Sequence, residues 1–408
     1  MAGTIGLVCM GEAGNLGDDL IMVAAAQSIA AGRGDAEVRH LSFGRPVDWA
    51  GISSLLAQPL RPVPVRPGRD LPGSRRNELL FADCDAVVFG GGGLLQTSHH
   101  PHNPLLWLGM LPRAVPLVPV LGVGLGVGPL SADWERRLRR WGSPFDACWL
   151  RDGDSVAFSE RRLGWAVGRC HDFVDRQFLD QFGVGGAPCP RAGRRVLGVA
   201  LRWWPSLDAR RLAEHIDRVA TRHGVDMVHF FVLEATPGGP DVEFSQSVRH
   251  QLATPGTELT AYRGQDILAF LRGMVGCTAA VSMKLHSNAV WAALGIPLHP
   301  ISYAPKTAAF FGRPYRGLEV IDEVVSPVGD DPAVPRAAEV VADWLRGGPP
   351  VEGDRRAALR LSHRLRLQAA STAINIGRRV GRQLRTQPSG AGAAAFRESA
   401  AVDGRAGG

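Results

Sequence analysis

Lysine is nearly missing from this chain. Of 46 basic side chains only Lys284 and Lys306 are lysines, 22 residues apart, and arginine fills every other basic position. A surface cation can be either residue, whereas a compact ammonium beside a phosphate or carboxylate is not interchangeable with a planar guanidinium. The two lysines are therefore the first candidates for chemistry, although a composition rich in Ala, Gly and Arg accounts for their scarcity by itself, so the rest of the sequence must support them. Long apolar runs are missing too: none approaches the ~20 residues of a membrane span. Residues 1–9 carry no basic n-region and lead straight into a glycine turn, so they read as a buried first strand and not as a signal peptide, and the chain is expected to stay in the cytoplasm. The six cysteines lack any pattern. Cys9, Cys84, Cys148, Cys170, Cys189 and Cys277 form no C-x-x-C pair and no metal-ligand spacing, and reduced, mostly buried thiols are expected.

The body of the chain also lacks net charge. The formal charge is +7, but residues 351–408 hold eleven arginines against four acids, so the first 350 residues balance to zero. A nucleic-acid site normally shows a basic face on the folded domain itself, which argues against nucleic acid as the ligand.

What is present is a globular composition, 45% apolar and 21% charged, over 408 residues, enough for two domains each with its own core. Short Val/Ile/Leu-rich runs alternate with amphipathic stretches, the pattern of parallel sheets covered by helices. In the first half strands are expected at 5–9, 38–43, 86–89, 117–123 and 147–150, with helices at 18–31 and 132–141. A Gly/Pro/Arg-rich linker at 183–195 separates domains at 1–182 and 196–350. The second half continues with strands at 196–201, 227–233, 279–283 and 298–302 and helices at 207–223, 241–252, 266–274 and 287–294. The simplest architecture is α/β, two doubly wound, Rossmann-like domains facing one another across a cleft. Residues 351–385 form a basic amphipathic helix with the stripe Leu361, Leu365, Ala369, Ala373, Ile376, Val380 and Leu384. Such a helix can lie on an anionic membrane surface, or it can be solvated or packed on a domain. The Gly/Ala/Ser-rich residues 386–408 read as a disordered tail.

The strongest local unit runs from Val281 to Pro297. A strand ends at Met283, a helix starts near Ser287, and Gly295 with Pro297 stops it. Lys284 and His286, two apart in extended chain, point to the same side, just before a helix N-terminus whose free N–H groups favour an anion. The unit reads as a phosphate or carboxylate site with a histidine able to move a proton. Gly90 to Gly93, with Gly91, Gly92 and Gly93 available to approach a ligand, follows the strand 86–89, and a second glycine turn alternates from Gly122 to Gly128. Neither has the spacing of a dinucleotide fingerprint, and packing is the alternative for both. Asn15 or Asp18 can cap the first helix or bind a sugar hydroxyl. Arg151 and Arg202, each at a strand's carboxyl end, face the crevice of a doubly wound fold and can grip a carboxylate, or can form surface salt bridges. His99, His100 and His102 sit in one loop without carboxylate partners, and no metal site is assigned.

Together these pieces resemble the polysaccharide pyruvyl transferase family. The matching elements are Gly14-Asn15-x-Gly17-Asp18, the unit 85–95, the turn ending Gly128-Pro129, Arg151-Asp152 followed by Ser155, and the series Lys284, His286, Ala292, Gly295, Pro297, Tyr303 and Lys306. The resemblance implies a glycosyltransferase-B-like pair of Rossmann-like domains that transfers pyruvate from phosphoenolpyruvate to two hydroxyls of a sugar residue in a polysaccharide or glycolipid precursor. It implies a ketal product, released phosphate and no cofactor beyond that co-substrate. His286 and Lys284 are then the catalytic candidates, with Arg151, Arg202, Ser287, Asn288 and Lys306 binding the donor. The family often has arginine where this chain has Lys284, which keeps the charge but loses the two-pronged fork. The first domain is expected on the acceptor side and the second on the donor side, with Asn15, Asp18 and the glycine loop near the acceptor. The basic segment 355–385 suits a lipid-linked acceptor at the inner membrane face.

A nucleotide-sugar glycosyltransferase of the same shape is the rival reading, with Glu234, Asp241 and Glu243 as ribose partners. A catalytically idle glycan-binding relative is the other. Trp107, Trp203 and Trp204 can stack on a sugar face or belong to the core.

Overall fold

A computed structural model describes residues 3–347 apart from 12–13, 43–51, 53–54, 58–59, 65–80, 82, 98–100, 102, 109–117, 186–192, 236–238, 255, 265 and 327–330. The histidine loop, the basic segment 351–385 and the tail 386–408 lie outside the described residues. In the first half, β1 (Thr4–Val8), α1 (Leu16–Gly32), β2 (Glu37–Ser42), β3 (Leu60–Pro64), β4 (Ala86–Leu95) and α2 (Asn103–Leu108) are followed by β5 (Val120–Val127), α3 (Ala132–Trp141) and β6 (Ala147–Leu150). Then come α4 (Gly153–Phe158), a π turn at Ser159–Leu163, β7 (Gly168–Arg169) and α5 (Arg176–Gln181). The second half holds β8 (Val196–Ala200), α6 (Ala209–Arg222), β9 (Met227–Val232), α7 (Pro240–Arg249), β10 (Thr257–Ala261) and α8 (Ile267–Val275). It ends with β11 (Ala279–Ser282), α9 (Leu285–Ala293), β12 (Leu298–Ser302), α10 (Pro305–Phe310), β13 (Glu319–Val320) and α11 (Ala337–Arg346).

The strands build two sheets, in the orders β3-β2-β1-β4-β5-β6-β7 and β10-β9-β8-β11-β12-β13. The first is parallel throughout, and the second is parallel except for β13. Both are the doubly wound arrangement expected from the alternation of apolar runs and amphipathic helices. β5, β8, β9, β11 and β12 are buried along their whole length, because helices cover both faces of a parallel sheet, and they read as continuous apolar runs for that reason. The strand order reverses between β1 and β4 and again between β8 and β11. Outside the carboxyl ends of the strands at such a reversal an open α/β sheet leaves a crevice for a ligand. The chain segments there are the β1–α1 loop, Arg202 after β8, and Met283 to His286 after β11.

The two sheets share a core. One apolar cluster includes Leu20 and Ile21 of α1 together with Phe231, Tyr262 and Trp291 from the second sheet's layers. The Leu16 N–H donates to the Leu233 carbonyl (2.9 Å), Asn15 and Glu234 form an isolated bridge, and the Tyr262 hydroxyl donates to Asp19 Oδ2 at 2.6 Å with both residues fully buried. After the second sheet the chain returns to the first: α11 crosses α1 so closely that a Cβ on Gly32 would stand 2.8 Å from Ala342 Cα. Arg336, at the start of α11, holds both carboxylate oxygens of Asp175 at 2.5 and 2.8 Å.

Several sequence expectations are corrected. β4 and β5 run on through their glycines as strands up to Leu95 and Val127, with Gly91, Gly92 and Gly124 at positive φ and a break of register after Gly92 and Val123. α9 starts at Leu285 and not near Ser287. Trp107, offered as a sugar platform, is 2% exposed and its indole N–H donates to Asn103 Oδ1 (3.1 Å), so it belongs to the core. Cys9, Cys84, Cys148, Cys170 and Cys277 are buried. No helix among the described residues is long and apolar enough to cross a membrane.

Candidate active site

The turn from β11 into α9 separates the two residues that strand alternation had put on one side. Lys284 is the N-cap of α9 with extended backbone (φ −78°, ψ 136°), and His286 already lies in the first helical turn. The Lys284 ammonium is buried and ion-paired, 2.7 Å from Asp241 Oδ2 and 3.5 Å from Glu234 Oε2. Two carboxylates on one ammonium leave no surplus positive charge there, so Lys284 alone does not make an anion site. Ser287 is fully buried and its hydroxyl donates to the Lys284 carbonyl (2.8 Å) while sharing a 2.7 Å contact with Ser282 Oγ. It closes the turn and is used up in doing so. Asn288 is fully buried, and neither side-chain polar atom has a hydrogen-bond partner among the described residues.

His286 points across the interface at α1. A Cβ on Gly17 would fall 1.7 Å from its Nδ1, so only glycine leaves room for the ring. Nε2 is buried and has no hydrogen-bond partner among the described residues. Desolvation first, then the charges of Arg151, Lys306 and Lys284, push its pKa down to about 3. Burial and three cations from separate elements thus act together on one imidazole and favour its neutral form.

Arg151, just past β6, is held under the sheet edge with its side chain 8% exposed; its guanidinium lies against Gly126, where a Cβ would meet Nη2 at 2.9 Å. Its carboxylate neighbours Asp152 and Asp172 stand off at 3.7 and 3.6 Å. The Arg151-Asp152-x-x-Ser155 motif explains this placement. Asp152 caps α4 by accepting the Ser155 N–H (2.7 Å), and Ser155 Oγ accepts the Val127 N–H (3.0 Å), so the motif welds α4 to the end of β5 and fixes Arg151 between them. Lys306, at the start of α10, is reached by solvent through the cleft, yet enough protein surrounds its ammonium that desolvation lowers its pKa, with Arg151 and Arg202 adding to the effect and Tyr303 and Asp18 opposing it. Arg151 and Lys306 line a cavity of about 290 Å³ together with Arg169 and His171. Arg169, at the end of β7, escaped the sequence reading. Its Nε is buried without a partner among the described residues, and its only signal was position, at the carboxyl edge of a two-residue strand too short to recognise.

On the facing side, Asn15 caps α1, accepting the Gly17 N–H at 3.1 Å. Asp18 sits in the first turn of that helix, where desolvation, then Asp19 and Glu234, push its pKa up to about 7 against the pull of Lys306 and Lys284. Of the glycine loop, Gly91 packs on α1, since a Cβ would stand 2.0 Å from Ile21 Cγ2, while at Gly92 and Gly93 a Cβ would make only ordinary contact, 3.9 Å from Leu94 and from Gln96. Arg202 lies over the Tyr303 ring, 5.9 Å from its centroid. Arg151 and Lys306 thus share one cavity, and His286, Arg202 and Asp18 lie within electrostatic reach of Lys306, with Lys284 acting on His286 and Asp18. The structure leaves Ser287 and Gly91 in structural roles. No group of three His, Cys, Asp or Glu among the described residues is placed to hold a metal ion.

The sequence profile described as polysaccharide pyruvyl transferase matches residues 15–305. No curated protein gives a significant match. Similar solved structures include UDP-GlcNAc 2-epimerase from Methanocaldococcus jannaschii, at 12% identity and TM-score 0.48, covering 91% of this chain and 100% of that one. The UDP-GlcNAc 2-epimerase of Neisseria meningitidis bound to UDP-GlcNAc is 12% identical with TM-score 0.47, covering 90% and 99%. The ADP-heptose lps heptosyltransferase II of E. coli is 13% identical with TM-score 0.39, covering 88% and 99%.

Proposed function

This chain belongs to the polysaccharide pyruvyl transferase family, and from that premise we propose that it transfers pyruvate from phosphoenolpyruvate to two hydroxyls of a sugar acceptor, forming a ketal and releasing phosphate. The observation that carries the reading is the pair of cations Arg151 and Lys306 lining one cavity, with the charges of both reaching the imidazole of His286, whose Nε2 is buried without a partner among the described residues. Phosphoenolpyruvate is small and highly anionic, and a site for it needs cations from several directions. Arg151 and Lys306 grip its phosphate and carboxylate, with Arg202 beside them. Once the anion is seated, its negative charge offsets those cations and stabilises an imidazolium against the desolvation that otherwise disfavours it, so the ring gains a proton as the donor binds.

The first sugar hydroxyl then adds to C2 of the donor while His286 delivers a proton to the methylene carbon, giving a methyl group and a phosphorylated tetrahedral centre; the hydroxyl's own proton passes back to the imidazole as the C–O bond forms, so the ring ends the step as it began. The second hydroxyl displaces phosphate from that carbon and closes the ketal, its proton leaving with the phosphate. Lys284 takes a different part from that of a phosphate ligand: held by Asp241 and Glu234, it fixes the mouth of α9. Titration calorimetry tests the donor assignment. Phosphoenolpyruvate should bind the wild type and lose about tenfold or more in affinity in Arg151→Ala and in Lys306→Ala, while His286→Gln still binds it. Tight binding of UDP-glucose with none of phosphoenolpyruvate would hand the site to a nucleotide-sugar glycosyltransferase.

A further inference from the structure

Beside the donor cleft, on the other side of Lys284, runs a second depression. The loop after β8, Arg202-Trp203-Trp204, and the start of α7 enclose a groove of about 400 Å³ lined by Arg202, Trp203, Trp204, Glu234, Pro240 and Asp241. Trp203 is 46% exposed, whereas Trp107 and Trp291 are 2% and 0% exposed. An indole left half in solvent contributes little to a core, while the backbone that carries this one is fixed. Its backbone N–H donates to Asp241 Oδ1 (2.9 Å), and the other oxygen of the same carboxylate takes the Lys284 ammonium (2.7 Å). The next residue, Trp204, stands edge-on to Tyr303 with centroids 5.2 Å apart, and Arg202 lies over the same tyrosine ring.

We propose that this groove seats the acceptor, a pyranoside whose apolar C–H face lies on Trp203 and whose hydroxyls are accepted by Glu234. The proposal rests on the pyruvyl-transfer reading and adds the acceptor's chemical class and place. An exposed aromatic plate flanked by carboxylates matches a sugar ring, which is apolar on its face and hydroxylated at its rim. An anionic donor would meet Glu234 and Asp241 there against Arg202 alone, whereas in the neighbouring cavity Arg151, Arg169, Arg176 and Lys306 outnumber Asp152, Asp172 and Asp175. Lys284 links the two seats: its charge reaches His286 and its ammonium holds the groove's carboxylates. A diol at the inner end of the groove therefore faces the donor carbon beside His286. This puts the acceptor on the second sheet's side of the cleft and not on the first, the side where Asn15 and Asp18 had been expected to meet it.

The test uses the full chain and a panel of methyl galactoside, methyl glucoside, methyl mannoside and N-acetylmannosamine, titrated by saturation-transfer NMR, with phosphoenolpyruvate titrated separately by calorimetry. At least one sugar should bind the wild type saturably. Trp203→Ala should weaken it about tenfold or more, Trp203→Phe about threefold or less, and both should bind phosphoenolpyruvate within about twofold of wild type. Unchanged sugar affinity in Trp203→Ala, or no saturable binding by any member of the panel, overturns the seat and leaves the donor assignment standing. Equal loss of sugar and phosphoenolpyruvate in a Trp203→Ala protein of wild-type melting temperature places Trp203 at the donor and overturns it too. Sugar binding that depends on Trp203, with no binding of phosphoenolpyruvate, keeps the seat and overturns the pyruvyl-transfer reading.

Discussion

Gly17 has no side chain because the imidazole of His286 fills the space one would take, 1.7 Å from where a Cβ would stand. Gly17→Ala must therefore push the ring off its position. A displacement of about 1 Å can cost on the order of 100-fold in rate. We expect kcat to fall by about that factor while phosphoenolpyruvate affinity changes little, and a wild-type kcat would remove His286 from the reaction. Asp18 offers a second test, through pH. Its pKa is raised to about 7 by burial and by Asp19 and Glu234, so folding favours its protonated form. That preference costs stability progressively as pH climbs from the ordinary carboxylate value, and the full cost is reached above about 7. Asp18→Asn removes the cost. Its melting temperature relative to wild type should rise between pH 5 and pH 8, by about 3 °C or more; a constant offset across that range would contradict the shift.

At the scale of elements, the alternation of apolar runs with amphipathic stretches was enough to read β1, the first half of β4, β8, β9, β11 and β12 and the helices α1, α3, α6, α7, α8 and α9, because burial on both faces leaves a plain compositional mark, while the six-residue helices α2, α4 and α5 were not read. The short partners β7, β10 and β13 were not legible: β10 is alternately half-buried and exposed, and β7 and β13 have two residues each. The start of α9 was missed for a different reason. Lys284 makes no side-chain cap bond, so the usual Ser, Thr, Asp or Asn signal pointed two residues too late, at Ser287. The consequence reaches the site, since a helical His286 turns toward Gly17 while Lys284 turns away to Asp241. Trp107 shows the limit of composition: nothing local distinguishes a core indole from a sugar platform, and only the packing around α2 decides. The anchoring of α11 is likewise invisible in sequence, as Arg336 and Asp175 are 161 residues apart. Their side chains are 19% and 13% exposed and doubly hydrogen-bonded. Arg336→Ala should cost about 2 kcal/mol in urea denaturation, and a loss under about 0.5 kcal/mol would mean that α11 is held by its apolar face alone.

At the scale of the whole molecule, the two sheets are joined by a continuous apolar cluster and by the buried Tyr262–Asp19 hydrogen bond. A cleft wall shared in this way keeps Arg151 and Gly17 of one half in register with His286 and Lys306 of the other. Calorimetric unfolding should accordingly show a single transition spanning both halves, whereas two separated transitions would mean that each sheet melts alone. The resemblance of scattered motifs reached the same cleft from sequence, because each motif marks a strand end that faces it. What it could not supply was the division of labour between the two lysines, which depends on Glu234 and Asp241 arriving from elsewhere in the chain. The most direct measurement of the central claim is phosphate release from phosphoenolpyruvate by the full chain, with and without a panel of galactosides, glucosides and mannosamine derivatives, beside His286→Gln. The account predicts release that requires both a sugar and His286; release by His286→Gln at the wild-type rate would contradict it.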